Sequence, residues 1–83
     1  LNVVEAVGYS CARGADYDRA VQYLDCFVDM LGDDYEWERR RKDNALLLRS
    51  LILDDPDKAQ YQLLEWEAHS AKHLKIASLR QPR

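Results

Sequence analysis

Residues 6–31 constrain the fold of this chain more than any other stretch. A segment with helical spacing contains the small residue Gly8 and ends in a turn at Gly14-Ala15. The segment that follows has one apolar face, formed by residues three or four positions apart: Ala20, Leu24, Phe27 and Leu31. Because small residues let two helix backbones approach closely, the stretch predicts an antiparallel helical hairpin with an apolar seam.

This order of small residue, turn and apolar face resembles a tetratricopeptide (TPR) repeat, a helix-turn-helix unit that stacks into solenoids. Residues 1–32 carry the resemblance, and residues 33–80 resemble a longer, divergent hairpin. A short internal echo connects the two halves at an offset of 39 positions: Asp16, Ala20, Leu24 and Phe27 correspond to Asp55, Ala59, Leu63 and Trp66. The resemblance implies a non-catalytic protein-binding module of the adaptor, chaperone-like or assembly type, and it names no partner.

The whole chain predicts an all-α fold in which four antiparallel helices form two stacked hairpins. The predicted helices span about residues 1–13, 16–31, 33–53 and 56–79, within one domain of residues 1–80 and with a frayed tail at 81–83.

Three start signals support these boundaries. Asp16 or Asp18 is expected to cap the second helix, because an Asp side chain accepts hydrogen bonds from the first free backbone N–H groups. Asp33, with Glu36 three residues later, has the spacing of a capping box for the third helix. Pro56 suits the first position of the fourth helix, where its missing N–H costs nothing.

Composition narrows the class of protein. An apolar fraction of 47% and a charged fraction of 33% fit a folded helical domain better than a disordered chain. The net charge of −3 disfavours a nucleic-acid binder, and no apolar run is long enough to span a membrane.

Cys11 and Cys26 are too few for a disulfide framework, and each falls in a predicted helix. Two free thiols and the lack of a visible signal peptide predict an intracellular, cytoplasmic protein.

The TPR resemblance also predicts where a partner binds. In such arrays the first helix of each hairpin lines a concave groove, which implies these contact residues: Tyr9, Arg13, Trp37, Arg41, Asn44 and Leu48. Some TPR domains grip a C-terminal carboxylate with a Lys and an Asn of their first helix. Glu5 and Tyr9 occupy the matching positions, so this clamp is absent, and a peptide or an amphipathic helix on the groove is the expected ligand.

Open apolar faces keep a second interpretation available. Each TPR-like hairpin has two apolar faces, and stacking covers only one. The uncovered face predicts either a partner protein or a second copy of the chain, which would make a homodimer. In the alternative arrangement, the four helices close into a compact bundle with no open face.

The basic run Arg39-Arg40-Arg41-Lys42 keeps a third interpretation available, a regulatory domain that binds nucleic acid. Acidic residues flank the run, and Glu36 and Glu38 are expected to pair with Arg40 and Lys42 four residues later. A self-paired helix face is therefore the favoured meaning.

Glu65, His69 and His73 recur every four residues and form a weak candidate metal site. Ser70 stands where a zinc protease motif requires Glu, so the general base is missing. No nucleophile–His–acid arrangement and no cofactor motif can be placed in the sequence. The chain is therefore predicted to be neither an enzyme nor a cofactor carrier.

Overall fold

A computed structural model of the protein describes the backbone of residues 3–80 and the side chains of residues 3–72. All regular secondary structure in this range is helical, which confirms the predicted all-α fold with four helices. The helices are α1 (Val3–Arg13), α2 (Tyr17–Met30), α3 (Glu36–Asp54) and α4 (Pro56–Arg80). Pro56 is the first residue of α4, as predicted.

Gly8 lies at a close contact between α1 and α2. A Cβ atom at this position would lie 3.3 Å from the Cδ2 atom of Leu24 and 3.3 Å from the Cβ atom of Tyr23. Larger side chains at position 8 would push α2 away, and Leu24 is fully buried in that contact. The predicted close approach of the two helices is confirmed.

The predicted turn at Gly14-Ala15 follows α1, and the residue with special backbone geometry in it is Ala15. Ala15 has φ of 62°, in the left-handed region, whereas no glycine in the described chain has a positive φ. The N–H of Asp16 donates to the carbonyl of Cys11 at 2.9 Å, and the N–H of Ala15 donates to the carbonyl of Ala12 at 3.1 Å. These two bonds form a Schellman motif, which places the left-handed residue one position after Gly14.

We therefore expect Ala15→Gly to stabilise the protein. Glycine adopts the left-handed conformation without the steric cost of a Cβ atom, so the free energy of unfolding should rise by about 0.5–1 kcal/mol. The matched control is Ala6→Gly in the helical interior of α1, which should lower it by roughly the same amount. Urea unfolding of both variants measures the two effects, and a loss of stability in both would contradict the geometry at Ala15.

The core is small and rich in alanine. Its buried apolar residues come from all four helices: Ala12, Ala20, Leu24, Phe27, Ala45, Leu48, Ile52, Ala59 and Leu63. Ala20, Leu24 and Phe27 of the predicted α2 stripe are buried, whereas Leu31 lies just past the end of the helix and is half-buried. The echo pairs Ala20 with Ala59 and Leu24 with Leu63 are buried in both hairpins. In α3 the buried residues Ala45, Leu48 and Ile52 lie on one face of the helix.

The start of α3 is capped differently from the prediction. The Glu38 carboxylate accepts hydrogen bonds from the N–H of Gly32 at 2.9 Å and from the N–H of Tyr35 at 3.2 Å. The predicted capping box of Asp33 and Glu36 is therefore wrong. Because α3 begins at Glu36, three residues after Asp33, Glu38 is the residue in position to accept a hydrogen bond from the N-cap backbone. Tyr35 is the N-cap residue.

The later start of α3 also determines which ion pairs form near it. Asp33 pairs with Lys42 at 2.7 Å, and this contact holds the pKa of the Asp33 carboxyl below its usual value. The predicted Glu38–Lys42 pair is wrong, because Glu38 is committed to the backbone, whereas the predicted Glu36–Arg40 pair is confirmed at 3.2 Å. At the start of α2, Asp16 is the N-cap residue, but its side chain makes no capping hydrogen bond.

Consecutive helices pack against each other as antiparallel hairpins, and α4 also returns to contact α1. The sequence did not predict this last contact. It brings the first turns of α4 to the end of α1, while α3 borders the same space. The α1–α4 contact therefore defines the boundary of the candidate site.

Candidate functional site

A groove of about 1130 Å³ lies between α1, α3 and α4. We call it the α1–α3–α4 groove. α1 lines it with residues spaced one turn apart, Glu5, Tyr9 and Arg13. α3 contributes Arg41 and Asn44, and α4 lines it chiefly with Leu63, Trp66, Glu67 and Ser70. The groove thus combines an aromatic and aliphatic lining with charged side chains.

Two aromatic rings span the groove from α1 to α4. The rings of Tyr9 and Trp66 are 5.9 Å apart and nearly perpendicular, at 87°. Edge-to-face pairs of this kind contribute about 0.5–1.5 kcal/mol beyond the area they bury. Both side chains are only half-buried, so they offer apolar surface to a ligand as well as to each other.

An ion pair crosses each end of the groove. Arg13 Nε lies 3.1 Å from Glu67 Oε1, and Arg41 Nη1 lies 3.8 Å from Glu5 Oε1. Glu5 and Arg13 are two turns apart on α1, which separates the pairs by about 12 Å along the helix. The Arg13–Glu67 pair is exposed and contributes little to stability, whereas the Glu5 side chain is only 9% exposed.

Gln60 joins α4 to the end of α1 and to the first residue of α2. Its Nε2 group donates to the carbonyl of Ala12 at 2.7 Å and to the hydroxyl of Tyr17 at 3.0 Å. Its Oε1 atom accepts a hydrogen bond from Arg13 Nη1 at 3.1 Å. A single amide therefore connects three helices next to the groove.

We expect Gln60→Met to destabilise the fold, because methionine keeps the length of the side chain but makes none of these hydrogen bonds. The free energy of unfolding should fall by about 1–3 kcal/mol. The matched control is Gln62→Met, also half-buried on α4, which should change stability by less than about 0.5 kcal/mol. Urea unfolding measures both effects. If the two variants lose the same free energy of unfolding, the hydrogen bonds of Gln60 do not stabilise the fold as expected.

The hydroxyl of Tyr9 keeps its proton at high pH. Burial raises the pKa of Tyr9 from its ordinary 10.0 to about 12, the nearby Glu5 charge adds to the shift, and Arg41 opposes it. In this range the unfolded chain releases a proton that the folded chain retains. The contribution of Tyr9 to the free energy of unfolding is therefore fully present below pH 10 and decreases as the pH rises from 10 towards 12.

Tyrosinate absorbance tests this assignment. One tyrosine of the native protein should ionise late, near pH 12, and Tyr9→Phe should abolish that phase while retaining the aromatic contact. Tyr9→Phe should also weaken the loss of stability between pH 10 and 12. The control Tyr61→Phe removes an exposed ring and should leave the late phase intact, so loss of that phase in the control would contradict the assignment.

The structure separates the predicted contact residues into three groups. Tyr9, Arg13, Arg41 and Asn44 all line the α1–α3–α4 groove. Trp37 lies outside it, 54% exposed, with its ring stacked on Tyr35 and under the guanidinium of Arg41. The prediction that Leu48 contacts a partner is wrong, because its side chain is fully buried in the core.

The basic run divides among different partners. Arg40 pairs with Glu36, Lys42 pairs with Asp33, and Arg41 points to Glu5. Four consecutive helical residues face different directions, so the run does not form one continuous positive strip. This distribution agrees with the favoured self-paired interpretation.

The remaining sequence candidates yield no site. No group of three potential metal ligands occurs among the described residues, and the side chain of His73 lies outside them. Cys11 packs half-buried against the core as a free thiol, and Cys26 is a free thiol at the surface. Among the helices of the described chain, none combines the length and apolar character that a membrane crossing needs.

Sequence reasoning missed the α4 side of the groove. Trp66 was recognised only as a core residue by its match to Phe27, and Gln60 and Glu67 were not singled out. Their spacing carried one signal: Gln60, Leu63 and Glu67 recur every three or four residues, so they lie along one side of α4. This spacing identifies groove residues only when the contact between α4 and α1 is known.

Comparison with known proteins gives no matching family model, no matching curated protein and no matching solved structure. The TPR resemblance therefore remains a prediction from the residues, carried by residues 1–32 and by the echo in the second hairpin.

Proposed function

We propose that this protein is a non-catalytic interaction module that binds a peptide or helix of a partner protein in the α1–α3–α4 groove. The single observation that carries the proposal is the half-buried aromatic pair of Tyr9 and Trp66 at the centre of a groove with ion pairs at its ends. Aromatic and arginine side chains are the residues that most often dominate binding energy at protein interfaces. A groove between helices is also the usual site for an amphipathic helix.

The shape and chemistry of the groove support a polypeptide ligand. Apolar surface from Leu63 and Trp66 lies beside hydrogen-bonding groups such as Asn44 and Ser70, so a chain with both apolar and polar side chains matches it. An adaptor, chaperone-like or scaffold role in the cytoplasm fits this proposal and the TPR resemblance.

Self-association is the second candidate, and a specific observation favours it. Leu46 and Leu53 lie seven residues apart on one face of α3, and their exposed fractions are 44% and 62%. A second copy of the chain could cover them. Light scattering over a wide concentration range separates the candidates, because the groove proposal expects a monomer with its groove free.

Selection from a random peptide library displayed on phage tests the groove directly. Peptides selected on the native chain should bind Ser10→Trp at least about tenfold more weakly, since a bulky ring at this exposed lining position fills the groove. The control is Gln22→Trp, which adds the same ring at an exposed position of α2 outside the groove and should bind normally. Peptides that bind both variants equally would place the interaction elsewhere and remove the proposal.

A further inference from the structure

The Glu5 carboxylate is an unusual group to find in the wall of this groove. Glu5 is the one buried charged residue in the part of the chain whose side chains are described, and only 7% of its surface is exposed. Burying a carboxylate is costly unless hydrogen bonds or a close counter-charge compensate for the lost water. Its ion pair with Arg41 is 3.8 Å long, and no described side chain donates to it at hydrogen-bonding distance. The carboxylate thus retains unused acceptor capacity in a ligand groove.

The surroundings of Glu5 favour a cation. Tyr9 lies one helical turn further along α1, and its ring contacts the ring of Trp66. Aromatic faces attract ammonium and guanidinium groups, and this attraction strengthens where water is excluded. The charge of Glu5 also contributes to the raised pKa of Tyr9, so its field reaches the aromatic pair.

Arg41 satisfies Glu5 only loosely, because its guanidinium has a second partner. The guanidinium carbon lies 5.5 Å from the centre of the Trp37 ring, and the Arg41 side chain remains 37% exposed. Trp37 does not line the groove, so this contact holds Arg41 at its edge. A second cation can therefore approach Glu5 from within the groove while Arg41 stays on Trp37. The net charge of −3 favours the approach of a basic partner.

We infer that the groove takes a segment of a partner protein that presents a lysine or arginine side chain between apolar residues. The basic group hydrogen-bonds to Glu5, and the apolar neighbours pack on Tyr9, Trp66 and Leu63. This inference rests on the proposed function, and it adds the chemical class of the ligand.

A double-mutant cycle on the native chain tests the inference. Peptides from the phage selection that bind in the groove are resynthesised with each lysine replaced in turn by norleucine, its uncharged counterpart of similar length. At one position the replacement should weaken binding to the native chain by about tenfold or more. The same replacement should change binding to Glu5→Gln by less than about twofold, because the counter-charge is already absent. Glu65→Gln, at an exposed position of α4 that does not line the groove, is the control and should behave as the native chain does.

The other outcomes are distinct. Groove-dependent peptides that lack a basic residue, or a lysine whose effect is equal in native and Glu5→Gln protein, would overturn the inference and leave the proposed function intact. Failure to select any peptide that depends on the groove would overturn both. A dimer in light scattering that Ser10→Trp converts to a monomer would show that a second copy occupies the groove, and this also overturns the inference. Because the cycle varies the peptide, its result is independent of any loss of stability in Glu5→Gln.

Discussion

The groove exists because α4 is held against the end of α1, and the amide of Gln60 is central to that contact. It bonds to the carbonyl of Ala12, to the hydroxyl of Tyr17 and to the guanidinium of Arg13. The carbonyl of Ala12 already accepts a hydrogen bond from the N–H of Ala15, so Gln60 donates to its second lone pair. The aromatic contact of Tyr9 with α4 extends the same interface. Without this interface, the first hairpin would meet the second mainly through α2 and α3, with the Glu5–Arg41 pair between α1 and α3 beside them.

The core explains why such polar contacts matter. Four of its buried residues are alanines, which permit close helix packing but bury little apolar surface: Ala12, Ala20, Ala45 and Ala59. A domain of 83 residues has a limited core in any case, and it leaves about a third of the unfolded chain's surface exposed after folding. Contacts between helices through Gln60 and through the Arg49–Asp25 pair at 2.6 Å therefore supplement the apolar core.

Charge is distributed so that acids and bases connect the helices at the edge of the groove. The pairs Arg13–Glu67 and Glu5–Arg41 join α1 to α4 and to α3. The exposed pair is screened by water and salt, whereas the buried acid is not. This asymmetry gives the two ends of the groove different chemistry and makes Glu5, rather than the basic run of α3, the charged group best suited to recognise a ligand. The TPR resemblance alone did not lead to this assignment.

Local sequence patterns determined the helices, their approximate ends and their buried faces. The spacing of Ala20, Leu24 and Phe27 fixes a face, and Pro56 fixes a helix start, because both effects act within a few residues of chain. The tertiary structure decided which faces meet. It returned α4 to α1, and it buried Leu48 rather than offering it to a partner. These outcomes depend on the relative placement of residues up to 54 positions apart, as in the Arg13–Glu67 bond, and helical periodicity carries no information over that distance.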